Sequence, residues 1–565
     1  MARPDHHDPA LADLHDRLVH ALNRAGLPDA DPALERPRQP DHGDWATTLA
    51  LRLAKPTGLN PREIAAAIVE HLDAGEWVSE VSVAGPGFVN FRLGSAYATG
   101  LVRRIVAAGD VFGRTEAAAD TETVNVEFVS ANPTGPLHVG AGRWAATGDA
   151  IAALVEASGH TVVREYYVND AGEQIRRFGL SVLRAGRGEA LGDDDYRGAI
   201  IGEIAQELAV GPQAALFEGA LDGDELAERA EIIGSRAVEA MRRRISDVLM
   251  RMGVAYDVWF SEREGLHESG AIDATIEELV AREVTYESEG ALFLRTTDHG
   301  DDKDRVLVRS DGRPTYFAAD CAYLRDKWSR ADRLFYLLGA DHHGYVARLH
   351  AAAVCLGIPR DKVEIRIGQL VNLLRDGQPV KMSKRAGETI DLDEVVDEVG
   401  VDVTRYHFLR QSLDTTVDFD LAVVATQSME NPVYYVQYAH ARIASLIRTA
   451  DERGFVAGEV TDVDASLLDH PAEAELFAAL AQMPLAVADA AELRATQRLA
   501  RYAEELAGTF HRFYAECRIL DDGVLDGSDD RAVRLARARY WLAVAAKQVL
   551  ANTLGLLRVS VPERM

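Results

Sequence analysis

The β-rich run at 124–129 leads into a loop of prolines and glycines, and the loop leads into 143–158, whose apolar positions recur with helical period. Gly159 stops that helix, and 161–167 follows as a second β-rich run. Strand, tight loop, helix and strand make a βαβ unit, and this constrains the fold more than any other feature. Parallel strands need a crossover connection, and the crossover helix covers a face of the sheet. Ligands of open parallel sheets bind beyond the carboxyl ends of the strands. The loop at 130–142 is therefore where the chemistry is expected.

The other segments sort around this unit. At 565 residues the chain is long enough for several domains of about 100–200 residues each. Residues 1–115 read as a separate α/β domain, with helices near 10–25 and 61–73 and two strands, 81–84 and 88–91, joined at Gly85-Pro-Gly87. Residues 116–427 read as a Rossmann-like parallel-sheet domain, with Arg333–Gly339 and Val363–Gly368 as further buried strands. Long acidic helices and a hairpin at about 170–305 read as an insertion into it. From 428 to 565 the pattern is nearly all helix, an all-α bundle. The expected fold class is multidomain α/β.

Acidic residues exceed basic ones by 90 to 61, for a formal charge of −29. Phosphate neutralisation needs cations, so the balance argues against a general nucleic-acid binder, and any nucleic-acid contact must rest on local stretches. The three cysteines are far apart and suit neither zinc nor a disulfide framework. No metal site is expected. The beginning of the chain has no basic stretch followed by an apolar run, and no uninterrupted apolar stretch reaches the ~18 residues of a membrane span. The expected setting is the cytoplasm, with no membrane contact, and the protein is expected to be a monomer.

Two loops carry chemistry. In Asn132-Pro-Thr-Gly-Pro-Leu-His138-Val-Gly140 a ring nitrogen and a helix N-terminus offer donors to an anion, and Gly140 lets a nucleotide approach the backbone. The bland alternative is a histidine N-cap with incidental glycines. The second loop is Lys381-Met382-Ser383-Lys384-Arg385, 243 residues further on. The chain has 7 lysines against 54 arginines, and two of the lysines stand here. An ammonium on a flexible stem can follow a polyphosphate that moves and leaves, whereas a guanidinium fork holds one geometry.

Together these loops resemble the signature pair of class I aminoacyl-tRNA synthetases. Three further strings resemble the arginyl-tRNA synthetases: Val126-Glu127-Phe-Val-Ser130-Ala-Asn132-Pro, Pro314-Thr-Tyr316-Phe-Ala-Ala-Asp320, and Gly339-Ala-Asp341-His342-His343-Gly-Tyr345. The ending Val561-Pro-Glu-Arg-Met565 completes a likeness that spans the chain. It implies a ligase that activates L-arginine with ATP, as its Mg²⁺ complex and with no tightly bound cofactor, then charges tRNA(Arg). His138, Lys381 and Lys384 would be catalytic. Gly140, Asp341, His342, Met382 and Ser383 would join them around ATP.

Tyr316 and Asp320, spaced to share a helix face, would hold the guanidinium with Glu127 nearby, and Asn132 and His138 the α-amino and carboxylate end. Glu127 interrupts an apolar strand, where an unpaired carboxylate is costly. Two adjacent histidines on an extended chain point to opposite faces, so at most one of His342 and His343 is expected on ligand.

One position departs from the family: Ala141 stands where the first motif usually has a second histidine, and His342 or His343 would have to supply any such contact. Some relatives with a degraded second motif carry a lysine three residues before the first-motif histidine; here that residue is Gly135 and the second motif is whole. For tRNA, 431–450 and 531–562 contain no acid and mix cations with aromatics. Tyr434, Tyr438, Arg442, Arg534 and Met565 are the expected anticodon-side contacts, and Phe88, Asn90 and Phe91 those on the N-terminal domain. The residues alone also admit another class I synthetase, a small-molecule adenylyltransferase, or a tRNA-binding relative that no longer activates.

Overall fold

The computed structural model describes residues 8–37, 39–115, 121–219, 223–380, 390–521, 524 and 529–565. The chain divides into two compact units, Met1–Glu116 with Gln427–Met565, and Ala117–Thr426.

In the first unit, helices α1 (Pro9–Arg24), α2 (Leu49–Thr57) and α3 (Pro61–His71) pack on a four-stranded antiparallel sheet. Its strands are β1 (Leu34–Glu35), β2 (Trp45–Thr47), β3 (Val78–Ala84) and β4 (Phe88–Leu93), in the order β1-β2-β4-β3. Asp8 and Asn60 cap α1 and α3, each followed by the proline that suits a first turn. Helix α4 (Ser95–Ala108) follows.

The second unit holds the βαβ element. Strand β5 (Thr123–Phe128), helix α5 (Val139–Ala157) and strand β6 (Thr161–Val168) are followed by α6 (Glu173–Gly186), α7 (Ala199–Ala209) and α8 (Gly223–Arg251). The stretch expected as an insertion needs correcting here. Strand β7 (Val258–Ser261) lies inside it and pairs parallel to β6 as the edge of the main sheet. Its four residues are all half-buried, so they lack the fully apolar run that marks an interior strand.

Next come α9 (Ala271–Ala281) and the antiparallel strands β8 (Thr285–Ser288), β9 (Ala291–Leu294) and β10 (Arg305–Val308). Helix α10 (Tyr316–Arg330), β11 (Arg333–Gly339), α11 (Val346–Cys355) and β12 (Val363–Gly368) complete the sheet, whose order is β12-β11-β5-β6-β7 with every pair parallel. A small sheet of β13 (Val371–Arg375), β14 (Gln378–Pro379) and β15 (Val417–Asp420), with α12 (Leu392–Val399), α13 (Val401–Leu409) and α14 (Leu421–Val424), closes this unit.

The bundle comprises α15 (Pro432–Glu452), α16 (Pro471–Leu480), α17 (Met483–Leu493), α18 (Thr496–Glu516) and α19 (Asp530–Leu556). The segments expected as separate domains at 1–115 and 428–565 pack into one unit. Asn552 donates to the carbonyls of Gly109 and Phe112 at 2.8 and 3.1 Å, Gln548 donates to Asp110 at 2.9 Å, and Thr99 Oγ1 accepts the Ala465 N–H at 3.2 Å. The stretch Pro471–Leu493 has a mean hydropathy of 1.4, high enough for a membrane span by length and composition. Here it forms the two helices α16 and α17, packed on α18, with Glu473 fully buried and bonded to Arg539 at 2.6 Å. All three cysteines are free and buried.

Candidate active site

Chain order runs outward from β5 through β6 to β7 on one side of the sheet, and from β11 to β12 on the other. The reversal falls between β5 and β11, where register pairs Phe128 with Leu337. Beyond these residues the loop 129–138 and the turn Ala340–Tyr345 leave side by side. This is the switch-point crevice in which open parallel sheets bind ligand.

The loop begins under strain. Val129 and Ser130 have φ of 70° and 38°, and the Ser130 N–H donates to Phe128 O at 3.0 Å. This is a γ-turn with a β-branched residue at its centre, a conformation that persists only where neighbours over-determine it. Tyr256 donates to Phe128 O at 3.0 Å, Tyr166 donates to Ala131 O at 2.8 Å, and Ser130 Oγ accepts the Tyr167 N–H at 3.1 Å.

His138 is the N-cap of α5 and its Nδ1 accepts the Gly140 N–H at 3.1 Å. The capping geometry weighed as the bland alternative is therefore present. It also explains why the helix starts before the periodic stretch: the cap, not the apolar repeat, fixes its first residue. A Cβ on Gly140 would lie 2.9 Å from the His138 ring, so a side chain there would push the ring out of its capping position. Asn132 is exposed in the same loop, and Ala141 is buried, presenting a methyl group at its position.

Residues 381–389, and with them Lys381, Met382, Ser383 and Lys384, lie outside the described residues. Just after them, Asp391 bridges His138 backbone to backbone, and the Leu392 N–H donates to Leu137 O at 2.7 Å. Arg143, fully buried, donates to the carbonyls of Gln369 and Ser412, both at 2.7 Å, and burial pushes it down to about 10. Its role is to tie α5 to the segments entering and leaving the small sheet.

Helix α10 begins with Thr315 as its cap and carries Tyr316 and Asp320 on one face. Tyr316 is 74 % exposed, and its hydroxyl lies close to Gly172 in the loop after β6. Asp320 is half-buried and accepts a hydrogen bond from Tyr345. Burial raises its carboxyl to about 6; the charges of Glu262 and Glu127 add to the rise, while Tyr345 and Arg348 oppose it.

Glu127 is more engaged than its sequence context suggests. Lys327 Nζ donates to its Oε2 at 2.7 Å, Tyr323 OH lies 3.1 Å from the same oxygen, and Ser130 Oγ donates to Oε1 at 2.9 Å. Sequence reasoning missed Glu262, buried at 5 % exposure just past β7, and Arg348 on α11. Once β7 is recognised as a sheet strand, an acid directly after its carboxyl end is the signal for Glu262.

Asp341, His342 and His343 are all exposed on the 3₁₀ turn Ala340–Tyr345, where successive side chains diverge by about 120°. The expectation of opposite faces on an extended chain is corrected, because the chain coils as soon as it leaves β11. Asp341 Oδ2 and His342 Nε2 are 3.5 Å apart. Among the described residues no group of three or more His, Cys, Asp or Glu could hold a metal.

The candidates for nucleic-acid contact lie in the first unit. Tyr434 and Tyr438 stack 6.4 Å apart, and Arg442 lies over Tyr438 and Tyr514 at 5.7 and 4.3 Å. Met565 is 49 % exposed, and the tail before it is anchored by His440 Nδ1, 3.0 Å from Pro562 O. Two expectations change. Phe91 is fully buried in the N-terminal core and Asn90 is buried beside it, because both lie on an interior strand; Phe88 is half-buried. The acid-free window 531–562 is not free of acids in space: Arg534 pairs with Asp530, Arg539 with Glu473 and Lys547 with Glu563.

A switch-point crevice, with a helix N-terminus facing it and acids gathered at one end, belongs to the nucleotide-using parallel-sheet enzymes. The class is that of the class I aminoacyl-tRNA synthetases: a family model for tRNA synthetases class I (R), catalytic domain, matches residues 102–201 and 219–431. Models for the arginyl tRNA synthetase N terminal domain and the DALR anticodon binding domain match 12–93 and 436–565. A curated arginine–tRNA ligase of Frankia alni is 47% identical over 566 residues, covering 98% of this chain and 100% of that protein. The chain belongs to the arginyl-tRNA synthetase family. A crystal structure described as an arginyl-tRNA synthetase of Campylobacter jejuni is 32% identical, with a TM-score of 0.73, covering 84% of this chain and 100% of its own. The Thermus thermophilus arginyl-tRNA synthetase shares the fold at 24% identity and a TM-score of 0.73, covering 98% and 100%.

Proposed function

We propose that this chain is an arginine–tRNA ligase, activating L-arginine with ATP to arginyl-adenylate and transferring the arginyl group to the 3′ end of tRNA(Arg). The observation that carries the reading is the backbone bridge between Asp391 and His138. It returns the chain from the Lys381–Lys384 motif to the loop at the carboxyl end of β5, and family membership supports the rest.

In this reading the arginine carboxylate attacks the α-phosphorus, the bond to the pyrophosphate oxygen breaks, and the adenylate forms. His138 and the N-terminus of α5 donate to the α-phosphate oxygens as charge develops there. Lys381 and Lys384 hold the β- and γ-phosphates with Met382 and Ser383 beside them, and Gly140, Asp341 and His342 border the nucleotide. Mg²⁺ arrives as part of the nucleotide substrate. Asp320, Tyr316 and Glu127, joined by Glu262, receive the guanidinium, whose planar fork of donors suits several carboxylates. Asn132 and His138 take the α-amino and carboxylate end. A ribose hydroxyl of the tRNA then displaces AMP.

Phe88, Tyr434, Tyr438, Arg442, Arg534 and Met565 remain the proposed tRNA contacts, and a monomeric cytoplasmic enzyme with no tightly bound cofactor is part of the same reading. A charging assay with ATP, tRNA and a panel of amino acids tests it. Arginine alone should support charging; charging with another amino acid, or none with arginine, overturns it.

A further inference from the structure

Lys327 is fully buried, a costly place for an ammonium unless it is paired. It lies seven residues after Asp320 on α10, so Asp320, Tyr323 and Lys327 line one face of the helix. Its Nζ donates to Glu127 Oε2 at 2.7 Å and sits 3.7 Å from the centroid of the Tyr336 ring, whose negative face favours a cation. An ionised carboxylate offers about four acceptor positions. Lys327 holds Oε2, and Ser130 occupies one position on Oε1. The Tyr323 hydroxyl lies between Glu127 Oε2 and Glu165 Oε1, at 3.1 and 2.9 Å, and its one hydrogen serves either. Glu127 is thus held from both ends, with an acceptor position left on Oε1, the oxygen beside the strained turn.

The neighbouring acids tie the same cation into a wider network. Glu262, Glu127 and Arg348 all act on Asp320. Glu165 shares the Tyr323 hydroxyl and the charge of Lys327 with Glu127, and receives Arg330 at 2.9 and 3.1 Å and Asn125 at 2.6 Å.

We propose that Lys327 is a positioning residue for arginine recognition: it clamps Glu127 by one oxygen so that the other, beside the strained turn, faces the guanidinium. This rests on the reading of Glu127 and Asp320 as the arginine pocket. Without Lys327, Glu127 would turn to other donors, and its oriented acceptor is lost.

The test is steady-state charging by the full chain, with arginine and ATP varied separately, for K327M, E127Q, their double variant and K327Q. K327M and E127Q are each expected to raise the KM for arginine about tenfold or more, with the KM for ATP within about twofold. The double variant should be no worse than E127Q within about threefold, because both changes act through one carboxylate. Equal damage to both substrates, or effects that multiply in the double variant, would make Lys327 a merely structural residue and overturn the proposal. An unchanged arginine KM in K327M beside a raised one in E127Q overturns it alone. An unchanged KM in E127Q overturns the pocket assignment and this inference with it. If K327M does not fold, K327Q carries the test: an arginine-specific rise in KM supports the clamp, and no rise overturns it.

Discussion

His138 Nδ1 accepts the Gly140 N–H at 3.1 Å. A ring nitrogen that accepts carries no hydrogen, so the neutral imidazole holds its proton on Nε2 and acts there as a donor. Capping and catalysis are thus divided between the two nitrogens. Asparagine is also a good N-cap, so His138→Asn should keep the melting temperature while losing the distal donor. Pyrophosphate exchange with arginine and tRNA is expected to fall by about 10²–10³. A variant with normal exchange would remove His138 from the chemistry.

Asp320 gives a pH dependence of definite sign. Its carboxyl is raised to about 6, chiefly by burial. Between the ordinary carboxylate value and 6 the folded chain keeps a proton that the unfolded chain has lost. Stability from this group therefore falls as pH rises through that window, by of order 2–3 kcal/mol in total. A guanidinium binds the ionised form, so the KM for arginine should rise about tenfold per pH unit below 6. Asp320→Asn should raise the KM and flatten that slope. A wild-type profile of arginine KM that is level from pH 5 to 8 would contradict this.

Val129 carries its strain at the mouth of the crevice, with φ of 70°. Glycine adopts that backbone freely, whereas an L residue in the left-handed region costs about 1–2 kcal/mol. Val129→Gly should leave stability equal or slightly higher while loosening the turn that aims Ser130 and Asn132. The expected result is a higher arginine KM with no loss in denaturant midpoint; a drop in both would place the valine's value in packing.

Arg405 is fully buried and donates to Asp149 Oδ2 and Met252 O, each at 2.7 Å, joining α13 to α5. Arg405→Met leaves Asp149 with Arg164 alone, 3.3 Å away. A destabilisation of about 1.5–3 kcal/mol is expected from losing a buried charge-assisted hydrogen bond while Arg164 still partners Asp149. Denaturant unfolding reads it directly, and a change under about 1 kcal/mol would mean that the site relaxes around the loss.

Lys384 tests the motif that sequence alone supplies. Lys384→Ala should slow activation by about 10²–10³, the scale of losing one preorganised donor to developing charge. Melting should be unchanged. Unaffected turnover would refute the pyrophosphate role of the second loop.

The sequence by itself determined the βαβ start, the strands Arg333–Gly339 and Val363–Gly368, and the spacing that puts Tyr316 and Asp320 on one face once their segment is a helix. Each of these is a local matter of periodicity, capping and spacing, which neighbouring residues fix between them. Only the tertiary structure decided that Val258–Ser261 joins the main sheet, that the charge of Glu262 acts on Asp320, that Glu127 is clamped by Lys327, and that the N-terminal segment packs with the bundle. The same holds for Arg539, whose acid-free sequence neighbourhood receives Glu473 from another helix. Charge and hydrogen bonding act through space with no fixed sequence offset, so a carboxylate's partner is known only once distant segments have been brought together.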